Sequence, residues 1–288
     1  MDALRGHSMC YSPCVERGVD IRYAYVTTLC GGDAYLPGVE VLGRSLVASG
    51  TREPRLAMVT SDVSTEARAR LQAQGWELVD VDPIENPSAE TVQLYPRFAK
   101  TFTKLRAFGL ANTSKIVLLD ADTVVLRNID DLFERPGFAA APDFFLPDRF
   151  NSGVMVVEPS AALFARICDA LSSMGSYDGG DQGFLNEFFP DWYARSVSYR
   201  LPAGYNLHHF VFQFLMGHAA LKDRVLSEVR VLHFTLQKPW MGLTLSGGAK
   251  VWWKFFYEAH PEEDTSWRRG LHRLEDWSFD GIVRVLGG

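Results

Sequence analysis

The 288-residue sequence is poor in cysteine and contains no long apolar run. Its four cysteines, Cys10, Cys14, Cys30 and Cys168, are too few and too irregularly spaced for a disulfide framework. Cys10 and Cys14 would make a weak metal pair, because no second pair lies nearby. The N-terminus has no apolar core or cleavage pattern of a signal peptide, and no stretch is long enough to cross a bilayer. We therefore expect free thiols, a cytoplasmic location and no membrane partner.

Several nucleotide-binding and hydrolase motifs are also missing. The turn LCGGDAY lacks the Gly-x-Gly-x-x-Gly fingerprint, the stretch GGAK lacks the first half of a Walker motif, and there is no serine nucleophile elbow. The formal net charge is −6 and no stripe of Lys or Arg occurs, so we expect no nucleic acid partner. A phosphate-bearing ligand would therefore need local basic groups or a metal.

Short apolar strands alternate with helices in the first half of the chain. The strands are RYAYVTT, RLAMVTS, ELVDVD and KIVLLDAD, and the helices between them are GVEVLGRSLVAS, TEARARLQAQ and FTKLRAFGLAN. Residues 83–97, with three prolines, are expected to form a loop. This alternation predicts an α/β fold with a mostly parallel sheet and helices on both faces.

The second half is less regular. A strand is expected from Asn151, a helix from Pro159 with that proline at or next to the first helical position, and another helix from Gly180. A late strand begins at Val229 and an aromatic helix at Ala249. No break in composition marks a linker, so we expect a flexible lead over 1–20 and a single domain over 21–288, with C-terminal helices over about 249–288.

The stretch LLDAD places two carboxylates at the end of a buried strand. Asp120 and Asp122 point the same way if the strand continues, and Ala121 keeps the turn small. Two such close carboxylates repel unless a cation or proton lies between them, and oxygen ligands suit magnesium or manganese. The alternative is a turn that merely ends the strand.

Other candidate residues follow along the chain. His233 ends a predicted strand and would complete a manganese ligand set, and Lys238 lies close enough to reach a phosphate; the alternatives are a hydrogen-bonded histidine and a surface lysine. The string DGGDQG offers Asp178, Asp181 and Gln182 to sugar hydroxyls, although Asp181 also suits an N-cap or first-turn position. In NSG, the side chains of Asn151 and Ser152 can bind a polar ligand.

In order, these motifs resemble the glycogenin-like members of glycosyltransferase family 8. The resemblance runs from about Val26 to Trp240 through VTT…GDAY, TKLRAF, KIVLLDADTVVLRNIDDLF, FNSGVMVVEPS, DGGDQGFLNEFF, LPAGYN and HF…QKPW. It implies a GT-A fold, a single Rossmann-like domain that binds a UDP-sugar and a divalent cation, usually manganese. It also implies a retaining transfer of an α-linked hexose from UDP-glucose or UDP-galactose.

The resemblance also implies roles for individual residues. It places metal ligands at Asp120, Asp122 and His233, a diphosphate contact at Lys238, and a residue near the donor sugar and phosphates at Lys104. The uridine end falls at Thr27, Thr28, Leu29 and Tyr35, although one extra residue before Asp33 shifts the register there. Donor contacts continue at Ala121, Asn151, Ser152 and Asp178, and the residues nearest the chemistry are Asp181, Gln182 and Lys104.

The sequence departs from the family pattern mainly on the acceptor side. Glycogenin glucosylates a tyrosine of its own, but the matching position here lies near Gln213, and no tyrosine occurs between Tyr205 and Tyr257. HFTLQKPW is also one residue shorter than its glycogenin counterpart. We therefore expect a separate acceptor. His208, His209, Phe210 and Phe212 either form part of its binding surface or pack as core.

Three acceptors and one non-catalytic role are open at this point. The acceptor is a glycan on a cytosolic protein, a polyol as in galactinol synthase, or a different residue of this chain. DAD, where galactinol synthases commonly have DGD, favours the first. The remaining hypothesis is a UDP-sugar-binding scaffold without activity, which the intact acidic and basic residues disfavour. A homodimer is plausible from the resemblance, with the aromatic helix as its contact or as core.

Overall fold

A computed structural model describes residues 21–242 and 247–263 of the chain. The predicted flexible lead, Cys10, Cys14 and the segment 264–288 lie outside the described residues. Within the described ranges, no helix has the length and apolar character needed to span a bilayer.

Nine strands and eight α-helices are described. The strands are β1 (Ile21–Leu29), β2 (Arg55–Val59), β3 (Glu77–Asp80), β4 (Thr113–Leu119), β5 (Thr123–Val125), β6 (Ala139–Pro142), β7 (Phe150–Val157), β8 (Leu207–His208) and β9 (Val231–His233). The helices are α1 (Leu36–Ala48), α2 (Thr65–Ala73), α3 (Ala89–Leu94), α4 (Ala161–Ala170), α5 (Asp181–Phe188), α6 (His209–Met216), α7 (Ala219–Glu228) and α8 (Gly247–Ala259).

The larger sheet has six strands in the order β3-β2-β1-β4-β7-β6. Strands β1 to β4 are parallel, whereas β7 runs antiparallel between β4 and β6. Strand β4 lies inside the sheet, and its residues from Ile116 to Leu119 are buried on both faces, as its continuous apolar run predicts. The predicted mostly parallel mixed sheet is confirmed.

Helices cover both faces of this sheet. On one face, Leu42 and Leu46 of α1 and Leu71 of α2 pack with Tyr25 and Val117 of the central strands. On the other face, Phe102, Ile167 and Phe184 pack with Val26 and Ile116. The alternation of side chains along β1 and β4 therefore supplies two separate cores from the same strands.

A second, three-stranded sheet has the order β5-β9-β8 and builds a third core. Strand β5 begins immediately after Asp122 and pairs antiparallel with β9, so that Thr123 lies opposite His233. The Phe234 N–H donates to the Asp122 carbonyl at 2.9 Å. This pairing places β9, the predicted late strand, beside the end of β4. The sequence did not predict β5, β6 or β8, because each is too short to show a period.

The aromatic helix α8 packs inward. Trp252 is fully buried, and it stacks on Trp240 and Phe256 with ring centroids 5.4 and 5.3 Å apart. The sequence allows this helix to be a dimer contact or core. These rings are core, because they pack in the third core against α1 and α6.

Three local predictions need correction. The segment predicted as a helix from Phe102 is a 3-10 helix over Thr101–Gly109, since β-branched Thr101 and Thr103 are weak α-helix formers. The predicted loop over 83–97 contains α3, which Ser88 caps by accepting the Thr91 N–H. Pro159 precedes α4 by two residues, because Ser160 is the N-cap and accepts the Leu163 N–H at 3.1 Å.

Candidate active site

The candidate site lies where β4 ends and the two sheets meet. Beyond Leu119, the Asp120 N–H donates to the Gly153 carbonyl, and the Thr123 N–H and hydroxyl donate to the Asp120 carbonyl at 3.1 and 2.7 Å. The backbone therefore does form a strand-ending turn. That turn leaves both carboxylate side chains facing β7 and β9, so the turn and the ligand hypotheses describe the same residues.

Asp120, Asp122 and His233 form a compact cluster. Their potential ligand atoms all lie within 4.8 Å of one another. His233 Nε2 is 3.3 Å from Asp122 Oδ1 and 3.8 Å from Asp120 Oδ2. His233 can approach this closely because Gly153 has no side chain: a Cβ there would lie 2.3 Å from its Cε1 atom. Two carboxylates and one imidazole fit manganese or magnesium by their chemistry.

Two lysines balance the charge of the carboxylates. Lys104 Nζ lies 2.7 Å from Asp120 and 2.8 Å from Asp181, and Lys238 Nζ contacts Asp122. Burial acts to lower the pKa of Lys104, but the two carboxylates outweigh it and raise that pKa. Burial likewise opposes ionisation of Asp122, yet the neighbouring Lys238 ammonium group holds its pKa below the usual range. Both ammonium groups and Asp122 are therefore charged at neutral pH.

On the other side of Lys104 lies a group of polar residues from β7 and α5. The Ser152 hydroxyl donates to Asp181 Oδ2 at 2.9 Å, and its N–H donates to Gln182 Oε1 at 3.2 Å. Gln182 Nε2 donates to Asp143 at 3.2 Å, and Asn151 Nδ2 donates to the same oxygen at 2.9 Å. The structure thus brings Asn151, Ser152, Asp181 and Gln182 together beside the acidic cluster.

Asp178 and Asp181 have different local surroundings. Gly180 is the N-cap of α5, so Asp181 occupies the first helical position and its side chain turns to Lys104 and Ser152. The exposed Asp178 accepts the N–H groups of Gly180 and Gly183 at 2.9 and 3.0 Å. The helix terminus is therefore stabilised by Asp178, which leaves Asp181 available to the site.

The predicted uridine end lies at the carboxyl end of β1. The Thr27 and Thr28 hydroxyls are buried, and neither has a hydrogen-bond partner among the described residues. The Leu29 side chain packs in the first core, so only its main chain faces this edge. Tyr35 is half-buried, with its ring 5.9 Å from Lys238 Nζ and 5.5 Å from the Trp240 ring.

An exposed group of aromatic rings borders the polar residues. Phe144 and Phe145 are 54% and 65% exposed, and their rings lie 5.5 and 5.9 Å from the half-buried Phe210. We call Phe144, Phe145 and Phe210 the aromatic platform. Asp143 ties it to the site, since its Oδ1 accepts the Phe145 N–H while its Oδ2 accepts from Asn151 and Gln182.

The four residues proposed from sequence for an acceptor surface separate in the structure. Phe212 is buried in the third core, and His209 is buried and stacks on Phe234 at 5.1 Å. Both are core residues, because α6 turns one side toward β9. The centroid of the His208 ring lies 5.4 Å from that of Phe210 and 5.7 Å from that of His233. His208 therefore lies between the platform and the acidic cluster.

Four residues at this site were not predicted from the sequence: Asp143, Phe144, Phe145 and Asn206. Asp143 and Phe145 follow β6, a strand too short to predict, and the exposed pair of phenylalanines in APDFFLPD was the available signal. Asn206 lies in LPAGYN and bonds both His233 and Asn151. That motif contributed to the resemblance without a role for its asparagine.

Comparisons with known proteins agree with this geometry. Residues 26–136 match the family model "Glycosyl transferase family 8". The chain is 37% identical over 238 residues to glycogenin-1 of Caenorhabditis elegans, covering 81% of this chain and 55% of that protein. It is 38% identical over 239 residues to inositol phosphorylceramide glucuronosyltransferase 1 of Arabidopsis thaliana, covering 76% and 42%.

The solved apo-form of the glycosyltransferase GlyE from Streptococcus pneumoniae TIGR4 has a similar fold, with a TM-score of 0.57 and 22% identity over 87% of this chain and 62% of that one. The predicted GT-A fold is confirmed. The chain spans about half the length of the two curated relatives named here. From its ordered motifs, its fold and these matches, the chain belongs to glycosyltransferase family 8 as a glycogenin-like member.

Proposed function

We propose that the protein is a manganese-dependent, retaining hexosyltransferase that moves glucose or galactose from a UDP-sugar to a separate acceptor, a glycan on a cytosolic protein. The observation that carries this proposal is the Asp120–Asp122–His233 cluster. Lys238 flanks it on one side, and Lys104 with Asp181 flanks it on the other. The cluster with Lys238 suits a metal-bound nucleotide diphosphate, and Lys104 with Asp181 suits the attached sugar.

The three metal ligands and Lys238 would contribute to diphosphate binding in different ways. Asp120, Asp122 and His233 would hold the cation, which supplies Lewis-acid charge to the phosphates when it is bound. Lys238 adds an ammonium group where negative charge develops as UDP leaves. Because the Lys238 ammonium group is already paired with Asp122, its charge is held in position before the UDP-sugar binds.

On the sugar side, we assign Asp181 a positioning role in retention of configuration. Its Oδ2 atom interacts with both Lys104 and Ser152, and these contacts orient the carboxylate and reduce its nucleophilicity. The bond from the anomeric carbon to the phosphate oxygen breaks, and UDP keeps the electron pair. The acceptor hydroxyl bonds to that carbon on the same face, and its proton moves to the departing phosphate. A covalent intermediate on Asp181 is the alternative.

Charge at the sugar side favours a neutral hexose. Asp143 and Asp181 lie beside Gln182 and Asn151, and the single ammonium there, Lys104, is shared between Asp120 and Asp181. A donor with a carboxylate, such as the glucuronate implied by the name of the Arabidopsis relative, would meet like charge without a free cation among these residues. UDP-glucuronate is therefore the disfavoured donor.

The aromatic platform supports a separate acceptor. Exposed rings next to the sugar-side residues offer flat apolar faces, and the C–H faces of sugar rings pack on such surfaces. A polyol lacks the extended ring face that would use all three rings. We therefore favour a glycan terminus over a small polyol, and over a residue of the same chain.

The test is a donor screen followed by an acceptor screen. The pure protein with manganese is incubated with UDP-glucose, UDP-galactose and UDP-glucuronate, and released UDP is measured. We expect slow hydrolysis of one neutral hexose donor and little of UDP-glucuronate. Transfer to glycopeptides, to inositol and to the protein itself is then followed by mass, with anomeric configuration read by NMR. Absence of UDP release from every donor would contradict the enzyme proposal and favour a binding scaffold.

A further inference from the structure

Asn206 lies behind the acidic cluster, on the Nδ1 side of His233. It is 4% exposed and is the last residue of a 3-10 turn that leads into β8. Its Oδ1 is 2.9 Å from His233 Nδ1, and its Nδ2 donates to Asn151 Oδ1 at 2.8 Å. The amide thus connects the imidazole of one sheet to the polar residues at the start of β7.

The orientation of the neighbouring amide of Asn151 is determined by two groups that cannot reverse their roles. The Gly153 main-chain N–H can only donate, and it donates to Asn151 Oδ1 at 2.9 Å. The Asp143 carboxylate accepts, and it receives Asn151 Nδ2 at 2.9 Å. Asn151 therefore presents its oxygen toward Asn206.

This orientation is passed on to His233. Since Asn151 offers an oxygen, Asn206 must direct its Nδ2 there and its Oδ1 toward the imidazole. An amide oxygen accepts only, so His233 Nδ1 must carry the hydrogen. The Nε2 atom, 3.3 Å from Asp122 and 3.8 Å from Asp120, is then left with its lone pair toward the carboxylates.

We propose that Asn206 is a positioning residue that holds His233 in the Nδ1–H tautomer, so that Nε2 serves as a metal ligand. Asp143 fixes the polarity of this relay from its far end, through Asn151. Three electron-pair donors then converge on one point, an arrangement that a cation satisfies. This inference rests on the metal site of the proposed function and adds the residue that prepares it. Hydrogen-bonded partners of ligating histidines commonly have this effect.

The test compares manganese binding by the wild-type protein with binding by Asn206→Leu and Asn206→Asp, using electron paramagnetic resonance of free Mn²⁺. Asn206→Leu removes the acceptor with little change in size, and we expect affinity to fall about 10- to 100-fold. Asn206→Asp keeps an oxygen for Nδ1–H, so we expect affinity within about threefold of wild type. Long-range ¹H–¹⁵N spectra of the metal-free proteins should show the Nδ1–H tautomer of His233 in wild type and Asn206→Asp, and its loss in Asn206→Leu.

A matched control is Asn186→Leu. Asn186 is also buried, and its amide bonds the Phe150 N–H, the Phe150 carbonyl and the Gln182 carbonyl, none of them at the cluster. We expect this variant to lose stability and keep its manganese affinity. Equal affinity of wild type and Asn206→Leu, or equal losses in Asn206→Leu and Asn186→Leu, would overturn the relay. Failure of the wild type to bind manganese would instead contradict the metal site itself.

Discussion

The two sides of the candidate site differ in polarity and in exposure to solvent. The donor side consists of mostly buried ionisable side chains that contact one another, namely Asp120, Asp122, His233, Lys104 and Lys238. The aromatic platform consists of apolar rings, two of which are more than half exposed. Under the proposed function, the first side meets one constant group, a metal diphosphate. The second meets an acceptor through ring faces, which give contact area with little directional restriction.

The difference predicts unequal consequences of substitution. Breaking one partner of a buried charge pair leaves the other charge uncompensated, at a cost of about 3–5 kcal/mol. Removing an exposed ring costs the folded chain little, because that ring is already largely in water. Donor-side changes should therefore alter stability and ligand binding together, whereas platform changes should alter acceptor use alone.

The largest effect is expected from Asp122→Asn. It removes a charged ligand atom and the counter-charge of Lys238. Manganese-dependent affinity for UDP should fall by about 100-fold or more, beyond the usual effect of losing an outer partner of a metal ligand. Titration calorimetry with UDP, with and without manganese, measures this. The control is Asp148→Asn, which removes the same charge from an exposed aspartate in the loop between β6 and β7. Unchanged affinity in Asp122→Asn would remove the distinction between the two sides.

An intermediate effect is expected at His208, where the two sides meet. Burial lowers the pKa of His208 to about 4. Between pH 6.5 and 4 the unfolded chain binds a proton that the folded chain does not, so stability falls as the pH decreases. The loss of unfolding free energy from pH 7 to pH 4.5 should be about 2 kcal/mol smaller in His208→Gln than in wild type.

Urea unfolding at the two pH values measures this difference. The expected result would place His208 with the desolvated donor side, although it carries no charge at neutral pH. Equal losses in the two proteins would show that its ring is as well solvated as the platform.

The smallest effect is expected from Phe145→Ser. Loss of one stacking face, worth about 1 kcal/mol, should raise the acceptor KM about fivefold and leave UDP-hexose hydrolysis unchanged. Phe214→Ser is a close control, because Phe214 is 66% exposed against 65% for Phe145, and its ring packs against the ring of His218. Steady-state transfer assays separate the two. A parallel fall in hydrolysis would mean that the platform also shapes the donor side.

Much of the fold was predictable, because its signals are local. The alternation around Val26 and the apolar run before Asp120 identified β1 and β4. The helix predicted from the stretch TEARARLQAQ is α2, which Ser64 caps by accepting the Ala67 N–H. Short elements escaped prediction: a strand of two or three residues such as β8 or β5 shows no period. The α3 helix was predictable in principle from Ser88 and Glu90, which the prolines around it obscured.

By itself, the sequence determined the strands of the large sheet except β6, the pair of carboxylates at the end of β4 and the order of motifs that identifies the family. The tertiary structure decided which side chains meet. Lys238 contacts Asp122 across 116 residues of sequence, and Asn206 donates to Asn151, which lies 55 residues earlier. Such contacts depend on β5 pairing with β9 and on β7 returning antiparallel beside β4. Local periodicity records how a segment folds, but it contains no information on which distant segment will lie beside it.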